Sequence, residues 1–245
     1  MPYLRFPPIK EAVISVSFKN TLEVEQLQKF CESDFIRTNY PSINNLAQIE
    51  IRNEIKEGKS QISSFHKPDG YSFNCTNNCN TSIQLRIGQL SFHNTNSYLG
   101  WEKFFNEFKN VWENFCKTVA KMDLINIAVR YINQLSFDLP LQNGFEEFLK
   151  LTPAIPDGIS KNVNNFFIQL NVPNSDNTLT GVITETFSLT PDKKVVQVLL
   201  DISVVKIQNL ICNSEEMWSS FVSVRQFKND LFFHSITDKT KSKYE

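Results

Sequence analysis

Glycine is scarce in this chain, 7 in 245 residues. So few, so scattered, leave no G-x-G-x-x-G turn and no P-loop, which excludes the common phosphate-cradling folds. Histidine is rarer, with only His66, His93 and His234. None belongs to an HExxH helix, and no G-x-S-x-G elbow accompanies them. Charge of one sign is also missing: 25 basic and 26 acidic side chains leave a net charge of −1. A protein that neutralises many phosphates shows a basic excess or a basic stripe. Here only the short run Lys239, Lys241 and Lys243 qualifies, and it reads as a solvated tail. No apolar run approaches the roughly 20 residues of a membrane span. The opening MPYLRFPPIK puts charges and prolines where a signal peptide needs apolar residues, so a cytoplasmic protein is expected.

Cysteine is present but unordered: Cys31, Cys75, Cys79, Cys116 and Cys212 make an odd set, expected to be free thiols in a reducing compartment. CTNNC (75–79) has the spacing of half a zinc site and lacks the other half. Cys116 falls among core positions of a Phe-rich helix, a poor place for a nucleophile. The residues therefore indicate no metal, no cofactor and no catalytic set, and no enzymatic reading is favoured.

Hydrophobic residues make up 41% of the chain, with 21 phenylalanines, enough for a sizeable core. Periodicity divides it into elements. A strand bounded by Pro8 and Asn20 precedes a helix near Thr21–Phe30. Three strands are expected at 47–55, 71–76 and 82–93. The clearest helix follows, with Trp101, Phe104, Phe105, Phe108, Trp112 and Phe115 at three- and four-residue spacing. A second series then begins: LINIAVRYINQLSF (124–137), a short helix in NGFEEFLKL, strands at 164–172, 181–189 and 194–207, and a last helix capped by Ser214.

The expected fold is α+β: two pseudo-duplicated units of strand, helix, three strands and helix, residues 8–122 and 123–237, with 238–245 as a tail. Their half-sheets would join into one antiparallel sheet in a single globular domain, with the long helices on one face. Period two then assigns faces. Ile127, Val129, Tyr131, Leu135 and Phe137 point to the helices, and Asn133 interrupts that set. Arg130 and Gln134 point the other way, as do Asp201 in VVQVLLDISVVKI, Arg86 in SIQLRIGQL, and Arg52. These five form a candidate partner or ligand surface, with Arg130 and Asp201 expected to pair. Asn133 and Trp101 are assigned structural roles.

PPIKEAV (7–13), YLGWEKF (98–104), RYINQL (130–135), LDIS (200–203) and FHSITDK (233–239) together resemble a sporadically distributed family of uncharacterised bacterial and archaeal proteins of about this length. Leu99, between Tyr98 and Gly100, departs from the pattern. Sporadic distribution implies a mobile defence island or toxin–antitoxin pair. From it follows the expected function: a non-enzymatic, antitoxin-like or accessory subunit whose protein partner is a toxin or defence effector encoded nearby. The alternative is a nucleic-acid or nucleotide-binding component using the open sheet face. The repeated unit is similar in outline to saddle-shaped proteins such as the TATA-binding protein, but those carry basic sheets, and this one is charge-mixed.

Overall fold

The computed structural model describes residues 4–245 except 20–21, 57–58, 77–79, 97, 120–121, 142–143, 157, 159–162 and 193; at 49–56, 59–63, 65 and 66 it describes only the backbone. Nine strands form one antiparallel sheet: β1 (Ile9–Phe18), β2 (Ser42–Lys56), β3 (Lys59–Asn74), β4 (Thr81–Arg86), β5 (Gln89–Thr95), β6 (Asp123–Asp138), β7 (Phe167–Pro173), β8 (Thr180–Leu189) and β9 (Val195–Ile211), in the order β2-β3-β4-β5-β1-β6-β9-β8-β7. Five helices accompany them among the described residues: α1 (Val24–Cys31), α2 (Asp34–Asn39), α3 (Trp101–Thr118), α4 (Glu215–Ser235) and α5 (Asp238–Tyr244). The fold is α+β. None of these helices is long and apolar enough to cross a membrane.

Outward from β1 the strands run β5, β4, β3, β2; outward from β6 they run β9, β8, β7. The first unit thus has four strands after its helix, where three were expected. SIQLRIGQLSFH supplies two of them, because Ile87 and Gly88 form a tight turn between β4 and β5. NGFEEFLKL yields only a three-residue 3-10 turn, Phe145–Glu147. At α1 the N-cap is Glu23, bonded to Gln26, and Thr21 lies outside the described residues. Residues 238–245, read as a tail, instead fold as α5. Thr237 caps it, Thr240 is buried and donates to the Phe148 carbonyl, and the Tyr244 hydroxyl receives the Ser136 N–H. Cys75 is disulfide-bonded, which corrects the expectation of free thiols throughout; Cys31, Cys116 and Cys212 are free, and Cys79 lies outside the described residues.

One face of the sheet is the core. Ile14, Val129, Leu135, Val198, Leu200 and Ile202 are wholly buried, and the alternate residues of the same strands stay half-exposed. Over that buried face lie α3 and α4, locked by Phe105 and Phe108 of α3 against Phe221 of α4, with ring centroids 5.5 Å apart in both pairs. Trp112 donates its indole N–H to Asn213 at 2.7 Å, tying α3 to the β9–α4 turn. Apolar burial at about 25 cal/mol per Å² is the driving term for this layer.

At the β2–β3 end the sheet becomes a ribbon, since β3 pairs with β4 only from Gly70 to Asn74 while β2 and β3 continue pairing to Lys56 and Lys59. Gly70 marks the departure. Its φ is +151°, and a Cβ there would sit 2.0 Å from the Leu85 carbonyl oxygen. Gly70→Ala is therefore expected to lower the unfolding free energy by roughly 2 kcal/mol or more in urea titration; a loss below about 0.5 kcal/mol would show that the ribbon re-seats without cost.

Candidate functional sites: an ion-paired sheet face and a lysine pocket

Of the five residues expected on the open face, the structure joins two. Arg130 is level with Val13 on β1 and Ser203 on β9, and Asp201 lies one diagonal step away, opposite Ile132. The guanidinium forks onto the carboxylate, Nε to Oδ1 at 2.9 Å and a terminal nitrogen to Oδ2 at 2.6 Å. Hydrogen bonding to Asp201 raises the Arg130 pKa further, and the Glu11 carboxylate adds to the effect. Gln134 accepts from Lys10 Nζ at 3.1 Å. Arg86 pairs instead with Asp69 at the base of the ribbon. Three strand spacings and four residues of rise put it roughly 20 Å from Arg130, too far to share one small ligand. The side chain of Arg52, paired by backbone to Ser63, lies outside the described residues.

Glu11 also takes His93 Nδ1 at 2.8 Å, and His93 Nε2 lies 2.9 Å from Ser91 Oγ. Serine, histidine and carboxylate thus stand in the order of a nucleophilic relay. The chemistry stops there. Ser91 is buried in mid-strand between β1 and β4, so ladder pairing uses the backbone N–H groups that an oxyanion hole would need. The relay is part of a hydrogen-bonded polar network on the sheet, Ser91–His93–Glu11 beside Arg130–Asp201.

Behind the sheet lies a feature that sequence reasoning missed. A cavity of about 440 Å³ opens between the start of β1, the first turn of α3, β6 and α4. Four of the stretches singled out in the sequence wall it: Pro7–Ile9, Tyr98–Trp101, Tyr131 with Asn133, and Phe232–Phe233. Asn133, only 2% exposed, is held by its amide N–H groups to the Leu200 carbonyl at 3.0 Å and the Tyr131 carbonyl at 3.3 Å. It sits at an irregularity in the β1–β6 ladder, where the register shifts between Ile9 and Glu11. Trp101 stacks on Phe105 at 4.7 Å. The Tyr98 and Tyr131 hydroxyls meet at 2.6 Å, and burial raises both phenol pKa values.

Lys228 reaches this cavity from α4. It is 5% exposed, and its ammonium lies 3.6 Å from the centre of the Tyr131 ring. Among the described residues, no hydrogen bond or carboxylate reaches its Nζ. Burial, with a smaller contribution from nearby Arg225, lowers its pKa to about 7. The sequence did carry a signal. Met217, Phe221, Val224, Lys228, Leu231 and Ser235 recur at four- and three-residue intervals, so Lys228 occupies the core stripe of its helix.

Compared with protein-family models and with curated proteins, the chain matches none.

A second buried titratable group, Glu185 of β8, is wholly enclosed with both oxygens lacking a partner, and burial raises its pKa to about 8. Opposite pH dependences follow from the two. Glu185 keeps its proton to about pH 8 when folded but only to its ordinary 4.5 when unfolded, so its term is full below that value and stability declines as pH rises through the window. Lys228 binds its proton only below about 7 when folded but below its ordinary 10.5 when unfolded, so stability rises with pH across that range. Lys228→Met is expected to raise the Tm by about 5 °C or more near pH 6, with the gain gone above roughly pH 10. Glu185→Gln should stabilise near pH 9 and change little near pH 4.5. Thermal melts across pH check both, and a pH-independent gain in either variant would exclude the titration.

Proposed function

We propose that the chain is a non-enzymatic interaction subunit that holds a protein partner on the open face of its sheet. The observation that carries this reading is the composition of that face. Its central charged side chains are held by neighbours in the plane, Arg130 by Asp201, Glu11 by His93 and Lys10 by Gln134, and apolar Val13, Ala128, Ile132, Leu199 and Val205 remain part-exposed between them. Ile207 and Phe167 extend the apolar surface, 76% and 68% exposed. Neutralised charge with interspersed apolar area is the make-up of a protein interface, where an arginine fork supplies orientation and apolar contact supplies affinity. A nucleic-acid face needs unpaired cations aimed at phosphates, and each described arginine of this face already holds a carboxylate.

The resemblance in sequence supports a setting for this subunit: an antitoxin-like or accessory role in a defence or toxin–antitoxin system, with the partner encoded alongside. The test is capture of the adjacent gene's product by the tagged chain, compared with an Ile132→Lys/Leu199→Lys variant of the open face. The expected result is a complex that survives about 0.5 M salt and that the variant loses by at least tenfold in affinity while retaining its circular dichroism. Equal capture by the variant, or retention on DNA that falls steeply with salt, would overturn the reading.

A further inference from the structure

We infer that the cavity between the start of β1, the first turn of α3 and α4 is a binding site for a small organic anion, a carboxylate or phosphate carried on an apolar body. Its charge balance is one-sided. Arg5, Arg225 and Lys228 line it, and among the described residues no aspartate or glutamate does. Each of these cations rests against a ring instead of a carboxylate: Arg5 over Phe6 at 5.3 Å, Arg225 over Trp101 at 5.1 Å, and Lys228 over Tyr131 at 3.6 Å.

A ring face returns roughly 0.5 to 2 kcal/mol to a cation. Removing an ammonium from water costs more than that unless a counter-charge and hydrogen bonds replace the lost hydration. Lys228, 5% exposed, has no such counter-charge among the described residues, and an anion entering the cavity would supply it. The remaining walls suit an apolar body. Pro7, Pro8, Ile9 and Phe232 provide the surface, and the Tyr98 hydroxyl and Asn133 amide provide the few fixed polar groups that orient a ligand. About 440 Å³ accommodates a small molecule and excludes a folded domain.

Proton uptake accompanies binding. The titratable and charged groups on the cavity wall are Arg5, Tyr98, Tyr131, Arg225 and Lys228; Glu102, in the first turn of α3, acts on Tyr98. Lys228 changes charge near neutral pH, and an anion against it draws a proton onto the amine.

The experiment is calorimetric titration of the full chain, at about pH 7.5, with benzoate and phenyl phosphate as anions, benzamide as the neutral isostere and benzylamine as the cation. At least one anion is expected to bind about tenfold or more tightly than benzamide, with benzylamine weaker still, and the heat should vary with the ionisation enthalpy of the buffer. Preference between the two anions identifies the headgroup. Lys228→Met, which keeps the stem and removes the charge, should weaken the preferred anion at least tenfold. That variant is expected to melt higher than the parent, so its loss of binding cannot be assigned to unfolding. Equal binding of benzamide, full affinity in Lys228→Met, or no binding of either anion at about 5 mM would overturn the inference.

Discussion

Pairing of β1 with β6 runs from Ile9 opposite Asn133 to Phe18 opposite Leu124 and joins the strands before α3 to those after it in a single sheet. Everything else is arranged around that seam. β5 and β9 flank the pair, and the long helices that follow them start from the middle of the sheet. Both helices therefore cover the same face, and Phe105 and Phe108 of α3 can reach Phe221 of α4 across the seam. The seam also dictates what the uncovered face must do. The central strands, buried on one side, leave a wet side on which polar groups of neighbouring strands are close enough to satisfy one another: Glu11 of β1 with His93 of β5, Arg130 of β6 with Asp201 of β9.

The faces of the central strands were readable because β6 and β9 are long, 16 and 17 residues, with every second residue buried from Ile127 to Phe137 and from Val196 to Val204. A one-residue slip would turn every apolar side chain outward, so the alternation is strictly kept. That is why Arg130, Gln134 and Asp201 could be placed on one face from period alone. The ribbon was not readable to its full extent: beyond Gly70 the described pairing is of β2 with β3 alone, with no further strand beside it to show its length. The β4–β5 turn was hidden for a different reason. Leu85 and Leu90 are directly opposed, so the apolar rhythm of SIQLRIGQLSFH continues through the turn with little interruption. Grouping Arg86 with Arg130 failed on distance, since period assigns a face and says nothing about position across a sheet.

Lys228 shows the converse limit. Its place in the core stripe of α4 was visible, but whether a stripe lysine snorkels to water or stays enclosed depends on what lies over it. Here Tyr131 of β6 closes one side and the Tyr98–Trp101 segment the other. Lys228 and those neighbours come from three separate parts of the chain, so only the assembled fold creates the enclosure. Lys206, by contrast, also lies on the helix-facing side of its strand and finds Ser220 of α4 at 2.9 Å. Two lysines on one face thus reach opposite ends, one bonded and one left against a ring.

Glu185 and Lys228 share the helix-covered side of the sheet without pairing; burial alone accounts for the shift of the carboxyl, with no contribution from the lysine. Their shifts nonetheless complement each other. With the carboxyl titrating at about 8 and the amine at about 7, the range between those values is where both are predominantly neutral. Acidification charges the lysine and alkalinity charges the glutamate, so the interior is least charged in a narrow band around neutrality. A buried ion pair of the same two residues would have placed the molecule on the opposite footing, most comfortable with both charged. By keeping them apart the fold leaves the Lys228 amine without a resident counter-ion, and it is that separation, more than the lysine itself, that makes the cavity receptive to a charge brought from outside.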